Sequence, residues 1–302
     1  MEMIHLKTSQ FHRLRKLRIE SGVFNSESYL YLLNRNHVKS KDGKRMVFKY
    51  LDCCDDPKIM STKIYTVEML HKSDVYQEIE ELVFPEMGVL IEEQISGFAL
   101  ELIKNHINVG KILNDDGISL RTRLYYVIQL GMIIDKVRNV KNQKVKMQFG
   151  DLNEYNAVLD KNDKIRIIDL DSAYVGQDEI FHSSYYLTNN KSLKNIDQKY
   201  QKNRNGIYIP SDNTDLYCYN MIAIDALAKE DMFRHSLPTY YMYLHHLRDV
   251  GIDKELVKIF ESIYLPKDNE NPMDLLKEID TTKENDISFE TFRKEYQKVL
   301  KL

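Results

Sequence analysis

The stretch from Phe149 to Ala173 constrains the fold of this 302-residue chain more than any other. It contains two short apolar runs, Ala157–Leu159 and Ile165–Ile168, on either side of the polar segment Asp160–Lys164. Two short apolar runs joined by a turn rich in Asp, Asn and Lys are typical of a β-hairpin. We therefore expect a rigid two-stranded element here, with polar side chains at its open end.

Three polar residues flank this hairpin at defined spacings. Asn156 follows Asp151 by five residues, and Asp169 follows Asn156 by thirteen. We expect the hairpin to bring Asn156, at its entry, close to Asp169, at its exit. An amide and a carboxylate presented together suit a hard divalent cation such as Mg²⁺, which takes oxygen ligands and shares its shell with phosphates. An ordinary hairpin with incidental carboxylates is the alternative, and any one of these residues alone would favour it.

The D-x-x-x-x-N motif, followed after thirteen residues by an Asp in an Ile-Asp context, resembles the protein-kinase-like superfamily. The resemblance implies an α+β, two-lobed, protein-kinase-like fold. Residues 1–103 would form a small N-lobe with an antiparallel sheet and one main helix. Residues 104–302 would form a mostly helical C-lobe, so that a single kinase-like domain spans most of the chain.

The resemblance also assigns roles within the motif. Asp151 would accept or orient the substrate hydroxyl, while Asn156 and Asp169 would hold Mg²⁺–ATP. The chain has Asp169-Leu-Asp171 where protein kinases have Asp-Phe-Gly. Asp171 would therefore add a third carboxylate near the metal.

The N-terminal part of the chain predicts three strands: Leu14–Ile19, Tyr29–Leu33 and Met46–Leu51. The third strand carries Lys49 in an apolar setting and resembles the family's V-A-I-K strand, whose Lys pairs with the α and β phosphates. Nineteen residues later, Glu68 lies in a predicted helix, Pro57–Lys72, at a distance that matches the Lys–Glu ion pair of the family. A strand lysine and a helix glutamate that simply face solvent are the ordinary alternatives.

The link between the first two strands would cover the ATP phosphates in such a fold. This link, Glu20–Glu27, contains a single glycine, Gly22. A loop that binds phosphates through its backbone N–H groups needs several residues that can approach the phosphates closely or adopt positive φ. Gly22 is therefore a weak candidate for cofactor binding, and a plain hairpin is equally compatible with the segment.

Two more apolar runs, Val89–Glu93 and Phe98–Ile103, lie on either side of Gly97. They would complete a five-stranded sheet and lead to a hinge near Lys104. By resemblance, the backbone from Glu101 to Ile103 would face the adenine of ATP.

The rest of the chain predicts helices and one polar segment. An apolar stripe at steps of three or four predicts an amphipathic helix with Leu120, Leu124, Val127, Gly131, Ile134 and Val137 on its buried side. Leu187–Gly206 is rich in Asn, Lys and Gln, and we expect a solvated loop there, whose positive charge could attract an acidic or phosphate-bearing substrate. Asp215, at the start of a predicted helix, resembles the kinase Asp that hydrogen-bonds the catalytic-loop backbone.

The amino-acid composition limits which partners and which cellular compartment we expect for the protein. With 43% hydrophobic and 29% charged residues and a net charge of −3, the sequence offers no argument for binding nucleic acid or an anionic membrane. Adjacent Cys53 and Cys54 form a poor disulfide, and Cys218 completes no metal motif, so we expect a reducing compartment. The N-terminus lacks the apolar region of a secretory signal, and no apolar stretch approaches the roughly 18 residues of a membrane span. The expected location is cytoplasmic.

Departures from the family pattern bear on the acceptor. Phe149-Gly150 stand where protein kinases have His-Arg, and Asn153 replaces the Lys that serine/threonine kinases place near the γ-phosphate. The change at Asn153 favours small-molecule kinases of the choline and aminoglycoside type. The Pro210–Asp215 region and the long segment before it are more like a protein kinase.

The sequence therefore predicts an ATP- and Mg²⁺-dependent phosphotransferase that moves the γ-phosphoryl group to a hydroxyl acceptor. A protein hydroxyl is the favoured acceptor. A small-molecule kinase is one alternative. A second is a pseudokinase that acts as a nucleotide-binding or scaffolding module, which the poor glycine loop and the missing His-Arg favour. A third is transfer of the adenylyl group of ATP on the same fold.

Overall fold

A computed structural model describes two compact units of mixed α and β structure. The described residues are 1–17, 28–34, 38, 44–104, 106–115, 117–118, 120–140, 145–176, 201–204, 207–210, 214–228, 244, 254, 257, 258 and 261. The first unit comprises Met1–His106, Val140–Phe149 and Val158–Phe181, and the second comprises Ile107–Asn139, Gly150–Ala157 and His182–Leu302. The two-lobed kinase-like fold, with lobes at 1–103 and 104–302, stays a prediction.

A six-stranded sheet lies at the centre of the first unit. Its strands are β1 (Glu2–Leu6), β2 (Arg15–Lys16), β3 (Ser28–Leu32), β4 (Met46–Leu51), β5 (Pro85–Ile91) and β6 (Gln94–Glu101). They lie in the order β1-β5-β6-β4-β3-β2, and every neighbouring pair is antiparallel except β1 with β5. Helices α1 (Thr8–Phe11), α2 (Pro57–His71) and α3 (Asp74–Glu78) belong to the same unit. Strand β4 and helix α2 occur where the sequence predicts them.

The prediction of five strands is wrong by one, because β1 adds to the edge of the sheet. Its buried residues Ile4 and Leu6 alternate with exposed His5, which is the period of a half-buried strand. Ile4 lies opposite Val89 in a parallel pairing. Local sequence does not specify such a partner, which lies more than eighty residues away.

The turn between β5 and β6 also differs from the prediction. The chain reverses at Glu92 and Glu93, which have φ values of 46° and 69°, and not around Gly97. Gly97 lies inside β6 with φ of 148°. A Cβ atom at Gly97 would lie 2.0 Å from the carbonyl oxygen of Lys49 on β4. Glycine is needed there because β6 approaches the backbone of β4 closely at Lys49.

Both faces of the sheet are covered. One buried cluster contains Ile4, Leu6, Leu14, Leu33, Met46, Phe48, Val89 and Ala99. The other contains Leu51, Cys54, Met60, Val67 and Phe98, of which Met60 and Val67 come from α2. Lys49 is the register partner of Phe98, and paired residues on neighbouring strands share a face. Lys49 therefore lies on the face covered by α2.

Helix α2 begins where its sequence predicts. The Asp56 carboxylate accepts hydrogen bonds from the backbone N–H groups of Lys58 (2.9 Å) and Ile59 (3.2 Å). Pro57 occupies the first helical position, where its missing N–H is not needed. The Asp56 cap and Pro57 together stabilise the N-terminal end of α2.

The hairpin predicted from the Phe149–Ala173 stretch is confirmed as β8 (Ala157–Leu159) and β9 (Ile165–Ile167). In its turn, Asp160 Oδ1 accepts from the backbone N–H groups of Asn162 (2.7 Å) and Lys164 (3.1 Å). Strand β9 is attached to the chain just before β5, since Ile167 donates to the Glu81 carbonyl (2.9 Å) and accepts from the Val83 N–H (2.8 Å). These bonds fix the start of the Asp169 segment within the first unit.

The second unit contains β7 (Ile107–Asn108), α4 (Val109–Asn114), α5 (Leu120–Asn139) and α6 (Thr214–Ala228). Helix α5 buries Leu124, Val127, Ile134 and Val137, as the apolar stripe predicts. The buried Tyr219 hydroxyl of α6 donates to the Val127 carbonyl of α5 (3.1 Å). This bond ties together two helices that are ninety residues apart in sequence.

Part of the segment predicted to be a loop is ordered as a strand. Strands β10 (Gln201–Arg204) and β11 (Ile207–Pro210) pair antiparallel, and β10 lies within the Leu187–Gly206 segment. Residues 187–200 lie outside the described part of the chain, as does the Gly22 link. Among the helices that the structure describes, none is long and apolar enough to cross a membrane.

We expect Gly97→Ala to lower the free energy of unfolding by about 3 kcal/mol, since its Cβ would combine an unfavourable φ with a clash against the Lys49 carbonyl. Gly176→Ala is the matched control, because Gly176 also has positive φ (94°), but apart from its chain neighbours no atom of the described residues lies within 4 Å of the added Cβ. The control should cost only about 1 kcal/mol. Urea unfolding of both variants measures the difference, and equal losses would contradict the close approach at Gly97.

Candidate functional site

Lys49 lies at the centre of a buried group of charges in the first unit. Its ammonium donates to Asp169 Oδ1 and to Asp171 Oδ1, the latter at 2.5 Å, and its side chain is 12% exposed. Burial by itself would lower the pKa of Lys49, but the charges of both aspartates and their hydrogen bonds outweigh it and raise the pKa. Lys49 is therefore a firmly protonated cation in a protected setting.

Asp171 is the most buried member of this group, with 1% of its side chain exposed. Its Oδ1 accepts from Lys49, and its Oδ2 accepts from Lys63 Nζ at 2.8 Å. Lys63 also donates to Ser172 Oγ at 3.0 Å. Burial would raise the pKa of Asp171, but the two ammonium charges outweigh this effect and hold the pKa well below its usual range. We call Lys49, Lys63, Asp169 and Asp171 the lysine–aspartate cluster.

An unusual backbone conformation delivers both aspartates to Lys49. Asp169 is left-handed, with φ of 69° and ψ of 35°, and leads from the end of the hairpin into a short 3₁₀ helix, Leu170–Ser172. A non-glycine residue in this region costs of the order of 1–3 kcal/mol, although Asp tolerates it better than most. Leu170, between the two aspartates, is buried in the apolar interior. This conformation of Asp169 places both carboxylates next to Lys49.

The residue that α2 contributes to this cluster is Lys63, and sequence reasoning missed it. The predicted residue, Glu68, lies exposed on α2, and the polar partners of Lys49 among the described residues are Asp169 and Asp171. Lys63 follows buried Met60 by three residues and precedes buried Val67 by four, so it occupies the apolar stripe of the helix. A lysine on the apolar stripe of a predicted helix is the sequence signal that could have identified Lys63. Glu68 lies one position after Val67 and therefore outside that stripe.

The predicted catalytic turn lies in the second unit. Asn153 Oδ1 accepts from the backbone N–H groups of Tyr155 (3.0 Å) and Asn156 (3.1 Å), and Asn153 Nδ2 donates to the Asp151 carbonyl (3.2 Å). Gly150 precedes the turn with φ of 71°, which favours glycine. Asn153, which stands where serine/threonine kinases have a Lys near the γ-phosphate, therefore holds the turn in shape.

Asn156 is oriented by Asp151. Its Nδ2 donates to the Asp151 carbonyl at 2.9 Å and lies 3.4 Å from Asp151 Oδ2. Because the amide nitrogen faces Asp151, the amide oxygen Oδ1 is turned away from it and can serve as a metal ligand. The structure therefore brings together two of the predicted residues, Asp151 and Asn156, within the second unit.

Glu101 ends strand β6 with a charged contact that the sequence did not predict. Its Oε2 accepts from Lys44 Nζ (3.1 Å) and from Arg166 Nη2 of β9 (3.4 Å). The next N–H, that of Leu102, donates to the Arg45 carbonyl at 2.8 Å. The adenine-facing role of the Glu101–Ile103 backbone stays a prediction.

Asp215 is buried near the start of α6 in the second unit.

The residues present fit a magnesium ion only in part. Asp169 is one-third exposed, and the described residues donate no hydrogen bond to its Oδ2, so this oxygen is suited to a cation. Asp171 does not fit, because both of its oxygens already face ammonium groups. Among the residues that the structure describes, no three His, Cys, Asp or Glu side chains form a group able to hold a metal. A site formed by Asn156 and Asp169 stays a prediction.

Comparison of the sequence with models of known protein families and with curated proteins finds no match in either. The kinase-like resemblance therefore depends on the motif residues themselves. The contacts described above are the physical grounds on which their roles are argued.

We expect Asp171→Asn to lower the free energy of unfolding by about 3–5 kcal/mol, because it removes the carboxylate shared by two buried lysines. Glu80→Gln is the control, since Glu80 forms an exposed pair with Lys164 at 3.4 Å. That change should cost less than about 1 kcal/mol. Urea unfolding at neutral pH compares the two, and similar small losses would contradict the importance of the buried cluster.

Acid should weaken the protein through the same carboxylate. The pKa of folded Asp171 lies below its ordinary value of 3.8, so below about pH 4 the unfolded chain binds a proton that the folded chain does not. Stability should then fall with a slope of up to about 1.4 kcal/mol per pH unit from this group. Lys49 adds nothing in this window, because its raised pKa affects stability only above pH 10.5.

The measurement is the free energy of unfolding of the parent and of Asp171→Asn at several values between pH 5 and pH 2.5. The free energy of unfolding should fall more steeply with decreasing pH in the parent than in the variant. The difference in slope should correspond to about one additional proton bound on unfolding. Parallel slopes would contradict the lowered pKa of Asp171.

Proposed function

We propose that the protein is an ATP- and Mg²⁺-dependent phosphotransferase that moves the γ-phosphoryl group of ATP to a hydroxyl acceptor, most of all on a protein. One contact supports this proposal above the others. The ammonium of Lys49, which sequence pattern selects as the phosphate-binding lysine, bonds to Asp169, which pattern selects as the principal metal ligand. These residues are 120 positions apart and belong to two separate motifs of the resembled family, one in strand β4 and one after the hairpin. An incidental strand lysine and an incidental hairpin carboxylate would have no reason to meet.

Lys49 would act by exchanging one anionic partner for another. In the described structure its protonated ammonium is shared between Asp169 and Asp171. When ATP binds, the ammonium would leave Asp169 for the oxygens of the α and β phosphates, while Asp171 continues to hold the side chain. The Asp169 carboxylate would then be available to hold the cation.

Asn156 Oδ1 and the Asp169 carboxylate are the atoms that would hold Mg²⁺. The ion, when bound, supplies positive charge to the phosphate oxygens as negative charge develops on them. Lys49 adds a second positive charge to the same phosphates. The contribution of these residues is positioning and electrostatic stabilisation, without a covalent intermediate on the protein.

Asp151 would orient the acceptor hydroxyl and take its proton. Hydrogen bonds from Asn153 and Asn156 fix its backbone carbonyl, while its carboxylate is half-buried at 3.4 Å from Asn156 Nδ2. A carboxylate on a fixed backbone suits a group that must meet the incoming hydroxyl in a defined direction.

A nucleotide-binding module without phosphoryl transfer is the second candidate. The observation that favours it is that α2 presents Lys63 at the cluster, where active members of the resembled family present a glutamate. The retained set of Asp151, Asn156 and Asp169 favours an active enzyme instead.

The test is the intact mass of the purified chain after incubation with Mg²⁺–ATP, with and without an added protein acceptor. We expect phosphate-sized gains for the parent, and we expect Asp169→Asn to transfer at least about 100-fold more slowly, because it removes the carboxylate that would hold the positive Mg²⁺ against the phosphates. Asp163→Asn is the matched control. Asp163 is also a left-handed aspartate, with φ of 59°, in the turn of the same hairpin, and its loss should leave the rate unchanged.

Each result has a definite meaning. Undiminished transfer by Asp169→Asn would contradict the site assignment. An adenylyl-sized gain would replace phosphoryl transfer with adenylyl transfer. If no mass is gained, consumption of ATP in the presence of small hydroxyl compounds would indicate a small-molecule kinase, and binding of ATP without consumption would indicate the nucleotide-binding module.

A further inference from the structure

We propose that Lys63 is a positioning residue for the nucleotide: it neutralises Asp171 from the side of α2 and so allows that carboxylate to hold Lys49 without repelling phosphates. The inference deepens the proposed function and rests on it, because it concerns the same phosphate-binding lysine. The helix glutamate expected from the sequence is not needed for this arrangement.

Among the described contacts of Lys63, the one that leads to Lys49 passes through Asp171. The Lys63 side chain is 6% exposed, and its described hydrogen-bond partners, Asp171 Oδ2 and Ser172 Oγ, both lie in the 3₁₀ helix after Asp169. The opposite oxygen of Asp171 binds Lys49. Asp171 thus has a lysine on each oxygen, one on the strand and one on the helix.

The charges of the cluster explain why the second lysine is needed. Two lysines and two aspartates sum to zero, whereas Lys49 alone with two aspartates carries a net negative charge. Phosphate oxygens approaching Lys49 would then meet uncompensated negative charge in a buried setting, where water screens it poorly. Two unneutralised carboxylates would also compete with the phosphates for the single ammonium of Lys49. Lys63 removes one of these competitors while leaving its hydrogen bond to Lys49 in place.

The same contacts connect α2 to the segment that contains Asp169. If a family-type glutamate on α2 held Lys49 directly, the helix would supply the carboxylate. Here the carboxylate comes from the turn after the hairpin, and the helix supplies the second cation. The orientation of Lys49 therefore depends on α2 through a bridging aspartate.

The experiment measures binding of Mg²⁺ with the non-hydrolysable analogue adenylyl imidodiphosphate by calorimetry, on the full chain. We expect Lys63→Met to weaken binding at least about tenfold, and Lys63→Arg, which keeps the charge, to remain within about threefold of the parent. Ser172→Ala is the matched control, because it removes the other bond of Lys63 without changing any charge, and it should bind as the parent does. The rate of ATP turnover at saturating nucleotide and the KM are also measured for each variant. A lowered rate at saturation would show that Lys49 is misplaced even when the nucleotide is bound.

A purely structural role would give a different pattern. Lys63→Met would then lower the unfolding midpoint and bind the analogue like the parent, which would overturn this inference while leaving the proposed function intact. If the unmodified chain binds no Mg²⁺–nucleotide, the proposed function is contradicted and this inference with it. Should Lys63→Met fail to fold, Lys63→Gln decides, since it keeps a hydrogen-bonding side chain but removes the charge: weakened binding supports the inference, and unchanged binding overturns it.

Discussion

The interaction on which the first unit depends is the carboxylate of Asp171, shared by Lys49 and Lys63 at 2.5 and 2.8 Å. It joins strand β4 and helix α2, which follow one another in the chain, to the turn after β9, which lies more than a hundred residues later. Removing these charges from water is costly, and a buried ion pair adds little net stability compared with apolar packing. Its value lies in geometry, because any shift of one element would leave a buried charge without its partner. The cluster therefore fixes how these three elements meet.

The apolar framework decides how strongly these charges act on each other. Lys49 shares its face of the sheet with Phe98 and lies under α2, whose Met60 and Val67 complete the buried cluster there. Gly97 lets β6 approach the backbone of β4 at Lys49. Low exposure makes the local dielectric small, so the ammonium can leave one anion only for another. A site built in this way disfavours release of Lys49 to water, so the proposed binding of phosphate would exchange one anionic partner for another.

The two groups of candidate residues are built by different means. The lysine–aspartate cluster depends on tertiary packing and on one strained residue, Asp169. The Asp151–Asn156 turn is formed by local bonds, mainly those of Asn153 to its neighbours. A sequence motif is well suited to recognising the second kind of site, because the bonds that Asn153 and Asn156 make in the turn all lie within six residues. Recognising the first kind also requires knowing which distant side chains arrive.

The sequence by itself determined the local elements: the β8–β9 hairpin, strand β4, helix α2 with its Asp56 cap, and the buried stripe of α5. These elements are predictable because hydrophobic period and turn chemistry act over a few residues. The resemblance to the kinase-like motifs indicated Lys49 and Asp169 individually. Only the tertiary structure decided that these two side chains meet, that Lys63 and not Glu68 joins them, and that β1 adds to the sheet beside β5. The physical reason is that pairing of distant charges and strands depends on which residues the packed core brings together. That choice is a property of the whole fold, and no short window of sequence contains it.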